Sequence, residues 1–153
     1  MTRAQLIAVA ALGSAALLAG AFIFQALGYA PCKMCYWQRY PHAIAAGIGA
    51  LFLIARWGWL PWLGALAAGV TGAIGIFHVG VEQKWWDGPA SCSGGGAGLG
   101  GLSGSDLLST DTLDRVVMCD EISWQLLGIS MPGWNAIFSF ALLAIWVLAA
   151  RRA

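Results

Sequence analysis

The chain has 153 residues, 59% of them hydrophobic and 10% charged, with a formal net charge of +1 and a mean hydropathy of +0.74. A soluble domain is about 45–50% apolar and about 25% charged, and a chain this short buries too little surface to hide such an excess, so an ordinary water-soluble domain is excluded. The near-zero charge and the lack of a basic tract exclude a nucleic-acid binder.

Bilayer is the solvent this composition fits, and nine Trp suit it, because amphipathic aromatics collect at membrane interfaces. A spanning helix takes about 20 mostly apolar residues, within a range of about 17–25. The first predicted span runs from Ala4 to Leu27 without a charge. Arg3 ahead of it and Ala19-Gly20-Ala21 within it also resemble a cleavable signal. The apolar run continues past that triplet, however, and its loss would leave three spans, so a retained helix is expected. The segment Gly28–Tyr40 follows as a loop, then a rather short second span from Pro41 to Ala55 that Arg56 ends. Pro41 disfavours helix at Tyr40, which predicts a late start or a kink there. After Arg56–Trp59, a third span runs from Leu60 to Val81. Gly64, Ala68 and Gly72 form one small-residue stripe on it, and Ala65, Gly69 and Ala73 the next. Such stripes let helix backbones approach closely in lipid.

The segment from Glu82 to Pro132 holds all seven acidic residues, the last of them Glu121, and is the one long aqueous stretch. Glu82, Trp85 and Trp86 read as interface anchors, with Glu82 one turn from His78. A glycine tract at Gly94–Gly101 is too flexible to hold a fold unaided. Asp106 to Val117 fits a short amphipathic helix on the membrane surface. The fourth span runs from Gly133 to Ala150, before Arg151 and Arg152. The predicted fold is an all-α membrane protein, a single domain over 1–153 built as an antiparallel four-helix transmembrane bundle with one short and one long loop on the same face.

Cys32, Cys35, Cys92 and Cys119 all fall in those two loops. An even count confined to one aqueous face points to disulfide chemistry in an oxidising compartment. Basic residues divide evenly, with Arg3, Arg56, Arg151 and Arg152 on one face and Lys33, Arg39, Lys84 and Arg115 on the other. Cysteine placement breaks the tie and puts the cysteine face in the periplasm and both termini in the cytoplasm. Cys32-Lys33-Met34-Cys35 is a C-x-x-C, a spacing that often lowers a thiol's pKa. Cys92 and Cys119 are far apart in the chain, and a bond between them would close a large loop. Bracing disulfides in a structural or adaptor protein remain open for this second pair. Zinc ligation by the two pairs is open too, but the second pair is neither close-set nor accompanied by histidine, so no metal is expected.

Cys32-Lys33-Met34-Cys35-Tyr36-Trp37-Gln38-Arg39 after one span, a His in the third, two loop cysteines and Ser130-Met131-Pro132-Gly133-Trp134-Asn135 opening the fourth together resemble the DsbB family, the quinone-linked membrane oxidases of bacterial disulfide formation. The resemblance covers nearly the whole chain, although 93–118 match no motif of it. It implies a bacterial inner-membrane thiol:quinone oxidoreductase. Cys92 and Cys119 would accept electrons from a DsbA-like periplasmic thioredoxin-fold protein. Cys32 and Cys35 would be reoxidised by ubiquinone or menaquinone, with Cys35 nearest the ring. Arg39 would bind the quinone, and His78 would lie close by. A vitamin-K-epoxide-reductase-like enzyme also pairs a C-x-x-C with a loop pair, but there the loop pair comes first in the chain.

The residues favour the same assignments on their own chemistry. A DsbA-type partner has a potential near about −120 mV and gives up electrons reluctantly, so a repeated cycle needs a sink such as a lipid quinone. If 35–39 is helical, Cys35 and Arg39 share a face at i, i+4. As a plain interfacial cation, Arg39 would have only a snorkelling role. A lone membrane histidine such as His78 is costly and commonly functional.

Overall fold

The computed structural model describes residues 1–89, 92 and 118–152. The Gly94–Gly101 tract and the amphipathic segment Asp106–Val117 lie outside the described residues. Four helices form among the described residues: α1 (Arg3–Ala26), α2 (Lys33–Ala55), α3 (Leu60–Glu82) and α4 (Met131–Arg151). A two-residue hairpin, β1 (Gln125–Leu126) with β2 (Ile129–Ser130), pairs Gln125 with Ser130 and leads directly into α4. Its turn places both Leu127 (φ 54°) and Gly128 (φ 77°) at positive φ, as a tight hairpin turn requires.

Local chemistry sets the helix ends. Thr2 and Gln5 form a reciprocal capping box at the start of α1, satisfying two otherwise orphaned donors. Gly28 adopts φ 99° just after α1, where a side chain would be strained. Pro61 and Pro132 sit in the first turns of α3 and α4, where a missing N–H costs nothing. α2 departs from the expected late start. It begins at Lys33 and runs unbroken through Pro41, so the C-x-x-C, Gln38 and Arg39 belong to its opening turns and not to a loop. Two interactions outweigh the local preference at Tyr40. Cys32 caps the helix by accepting the Cys35 N–H at 3.2 Å, and the Thr71 hydroxyl donates to the Gln38 carbonyl at 3.1 Å. Hydroxyls on neighbouring helices are a common support for proline inside a membrane helix.

The helices pack in a closed antiparallel ring, with α3 against α4 and α2, and α1 against α2 and α4. At one end Arg3 donates to the Gly58 carbonyl and Arg152 to the Met1 carbonyl, so both termini and the α2–α3 turn share that end. α1, α3 and α4 are each long and apolar enough to cross a membrane. α2, of 23 residues, is about 35 Å long but carries Lys33, Gln38, Arg39 and His42 in its first half. Many large apolar side chains, among them Leu12, Ile23, Ile54 and Leu66, point outward, which suits lipid.

The first predicted stripe on α3 is the contact face. Gly64, Ala68 and Gly72 are buried. A Cβ at Gly64 would stand 2.6 Å from the fully buried Trp146 ring, and one at Gly72 would stand 3.0 Å from Phe140. Gly64→Val is therefore expected to destabilise the bundle by about 1–3 kcal/mol, the cost of overpacking a filled core. Thermal unfolding in detergent would show it as a lowered midpoint; an unchanged midpoint would mean that the α3–α4 seam is looser than this packing.

Candidate redox site

The opposite end of the bundle gathers the cysteines. Cys32 lies at the N-cap of α2 and Cys35 in its first turn, with sulfurs 2.8 Å apart. Cys92 and Cys119 are joined as a disulfide. Both are buried and pack in one cluster with Cys32, Met34 and Val81, with Cys35 at its edge. The Cys119 N–H donates to the Cys92 carbonyl at 2.8 Å, tying the two loop segments together beside their bond. The two pairs that the sequence separates thus lie against one another. The hydrogen bond between the two thiols, and then burial, hold the Cys32 thiol well above the usual range. Either sulfur can donate to the other across this contact.

His78, near the end of α3, reaches this pair. Its Nε2 is 3.6 Å from the Cys32 sulfur, and its Nδ1 accepts from the Gln38 amide at 2.9 Å. A network continues inward. Asn135 donates to Gln38 Oε1 at 2.7 Å and to the Thr71 hydroxyl at 3.2 Å, and His42 Nε2 donates to Asn135 Oδ1 at 2.7 Å. A polar side chain facing hydrocarbon is costly, and these groups bond one another, with only His42 Nδ1 among their side-chain polar atoms left without a partner among the described residues. Sequence reasoning does not gather them as a set, although each is a polar residue within or beside an apolar span, which is the signal that could have found them. Glu82 departs from its reading as an interface anchor. It is 8% exposed, and one carboxylate oxygen has no hydrogen-bond partner among the described residues. Its neighbour is Ser130, at the start of α4, and not His78. Trp85 and Trp86 stay on the surface, with Trp86 stacked on Phe77.

Arg39 points to α1. Its guanidinium donates to Gln25 Oε1 at 2.7 Å and to the Ala21 carbonyl at 3.1 Å, and it lies over the Phe22 and Tyr36 rings. Arg39 and Cys35 both line a cavity of about 460 Å³ between α1 and α4, whose apolar sides include Leu17, Phe24, Trp134 and Phe138. That volume suits a small organic ligand. The polar end of this chamber holds the Arg39 guanidinium, both Cys32 and Cys35, His78 and Glu82, while its remaining walls are largely apolar.

The fold and this site define a multi-pass helical membrane protein that builds two cysteine pairs into one end of its bundle. The family model described as Disulfide bond formation protein DsbB matches residues 3–149, and the chain belongs to that family of disulfide bond formation membrane proteins. It is 36% identical over 146 residues to disulfide bond formation protein B of Xanthomonas oryzae pv. oryzae, covering 91% of this chain and 84% of that relative. It is 32% identical over 162 residues to the protein of the same name from Verminephrobacter eiseniae, covering 97% and 85%. The corresponding protein of Azoarcus sp. is 32% identical over 157 residues, covering 90% and 87%. No solved structure is a significant match.

Proposed function

We propose that the chain is a thiol:quinone oxidoreductase of the bacterial inner membrane that reoxidises a DsbA-like periplasmic dithiol protein at the expense of ubiquinone or menaquinone. The cysteine end faces the periplasm and both termini face the cytoplasm. The carrying observation is the packing of the Cys92–Cys119 disulfide against the Cys32–Cys35 pair at the mouth of an apolar cavity. Bracing disulfides need no second dithiol beside them and no chamber.

Each transfer is thiolate attack on a disulfide. A partner thiolate attacks Cys92, and Cys119 leaves as a thiolate. The partner's second thiol then closes its own disulfide and releases Cys92. With Cys32–Cys35 oxidised, the Cys119 thiolate attacks Cys32, and Cys35 leaves as the thiolate facing the cavity. Cys92 completes the exchange by attacking Cys119, which frees Cys32. Two electrons and two protons have then moved from the partner to the C-x-x-C. A bound quinone would supply the two-electron, two-proton sink that lets Cys32 and Cys35 return to a disulfide. Arg39 would hold a carbonyl of the head group, and His78 would orient the Cys32 sulfur.

Purified protein in detergent, given reduced DsbA-like protein and a soluble ubiquinone, is expected to bleach the quinone absorbance stoichiometrically with partner oxidation. Protein that leaves both unchanged, with its disulfides intact, would return the chain to the bracing reading.

A further inference from the structure

We propose that the reduced Cys32–Cys35 pair and His78 form a binding site for a divalent zinc-like cation, which would arrest the protein in its dithiol state. The chain order hides this set, because His78 stands 46 residues from Cys32; only the packing of α3 against the start of α2 joins them. The two sulfurs and a ring nitrogen of His78 all lie within 4.8 Å of one another. Tetrahedral zinc, with bonds of about 2.3 Å to sulfur and about 2.0–2.1 Å to nitrogen, sets neighbouring sulfur and nitrogen ligands about 3.6 Å apart. The Cys32 sulfur and His78 Nε2 already stand 3.6 Å apart. The same geometry asks for about 3.8 Å between sulfurs, against 2.8 Å here, an opening that a small side-chain rotation of the partly exposed Cys35 provides.

The surroundings suit a cation. Two thiolates neutralise a divalent ion, so the occupied site carries no net charge into its buried setting. Gln38 bonds the far nitrogen of His78, the position at which metal-bound histidines are held by an outer partner. Binding at Nε2 moves the ring proton to Nδ1, and for Gln38 Oε1 to accept it the Gln38 and Asn135 amides must turn together, because Asn135 donates to that oxygen in the metal-free arrangement. Glu82, one turn beyond His78 on the same face of α3 and nine-tenths buried, keeps one carboxyl oxygen without a partner among the described residues. The site exists only when the pair is reduced, since a disulfide offers no thiolate. The ion undergoes no redox change and displaces two thiol protons. The inference rests on the proposed turnover only in needing a reduced pair, which a chemical reductant supplies, so zinc could fail to bind a working oxidase, or bind a protein that reduces no quinone.

The test uses full-length protein in detergent, reduced under anaerobic conditions and freed of reductant. Cobalt(II) added to a Cys92→Ser/Cys119→Ser variant should give one equivalent of tetrahedral d–d absorption with a thiolate charge-transfer band, and zinc should displace it. His78→Ala should weaken zinc by about tenfold or more, at least the loss that outer partners alone cause, and oxidised protein should bind none. In wild-type protein, zinc should slow maleimide labelling of Cys32 and Cys35 but not of Cys92 and Cys119, as read by peptide mass spectrometry. No cobalt band, equal affinity in His78→Ala, or protection confined to Cys92 and Cys119 would each overturn the proposal.

Discussion

A chain whose only cysteine is Cys92 is expected to trap a DsbA-like partner almost completely, while one whose only cysteine is Cys119 traps little. Each variant would carry thionitrobenzoate on its one thiol and meet a partner whose second active-site cysteine is Ser. The partner thiolate displaces the good leaving group, releasing one equivalent of coloured thiolate and leaving a mixed disulfide that nothing can resolve. The asymmetry comes from placement. Cys119 is fully buried, and its backbone lies beside the His78 ring that also meets Cys32, so in the proposed relay it is the sulfur that would pass electrons inward. Cys92, buried at 4% exposure, follows the half-buried Gly88 and Pro89. A reductant-sensitive heavier band on a non-reducing gel would report the trap. A band through Cys119 instead would reverse the two roles, and none from either would favour bracing disulfides. In the otherwise native chain, Cys119→Ser should abolish turnover, because no thiolate remains to reach Cys32.

Arg39→Ala is expected to raise the apparent KM for quinone by about ten- to a hundredfold, the equivalent of losing a charge-assisted hydrogen bond worth about 1.5–3 kcal/mol. Arg39→Lys should recover only part, since an ammonium lacks the planar fork. The guanidinium is also anchored to Gln25 and to the Ala21 carbonyl, so a rise in KM could come from a displaced α1. Gln25→Ala separates the two causes: it loosens the anchor and keeps the cation, and should move KM far less than Arg39→Ala. Steady-state kinetics with saturating reduced partner would measure all three. An unchanged KM in Arg39→Ala would leave Arg39 as an interfacial cation, and a fall in kcat alone would place its action on the Cys35 sulfur.

Much of this protein was legible from local composition. The four helices, the class of solvent and the sharing of one end by all four cysteines follow from runs of apolar residues and the charges that interrupt them, because lipid tests each segment by its own hydropathy and length. The fourth helix came within two residues of its predicted start, and the small-residue stripe on α3 proved to be its packing face. Where α2 begins was not legible, because the support for Pro41 comes from Thr71 on another helix.

The sequence by itself therefore determined a membrane bundle with two cysteine pairs at one end, and the tertiary structure alone decided which polar groups meet. Gln38 finds His78 across 40 residues and Asn135 across 97. Glu82 turns inward to Ser130, and the Cys92–Cys119 disulfide settles against Cys32. The reason is rotational. A helix apolar on every side can face any direction in lipid, so its hydrophobic pattern does not say which residues look inward. Close approach at Gly64, Gly72 and Gly75, together with the cost of leaving Gln38, His42, His78 and Asn135 unpaired in hydrocarbon, sets that rotation and thereby assembles the site.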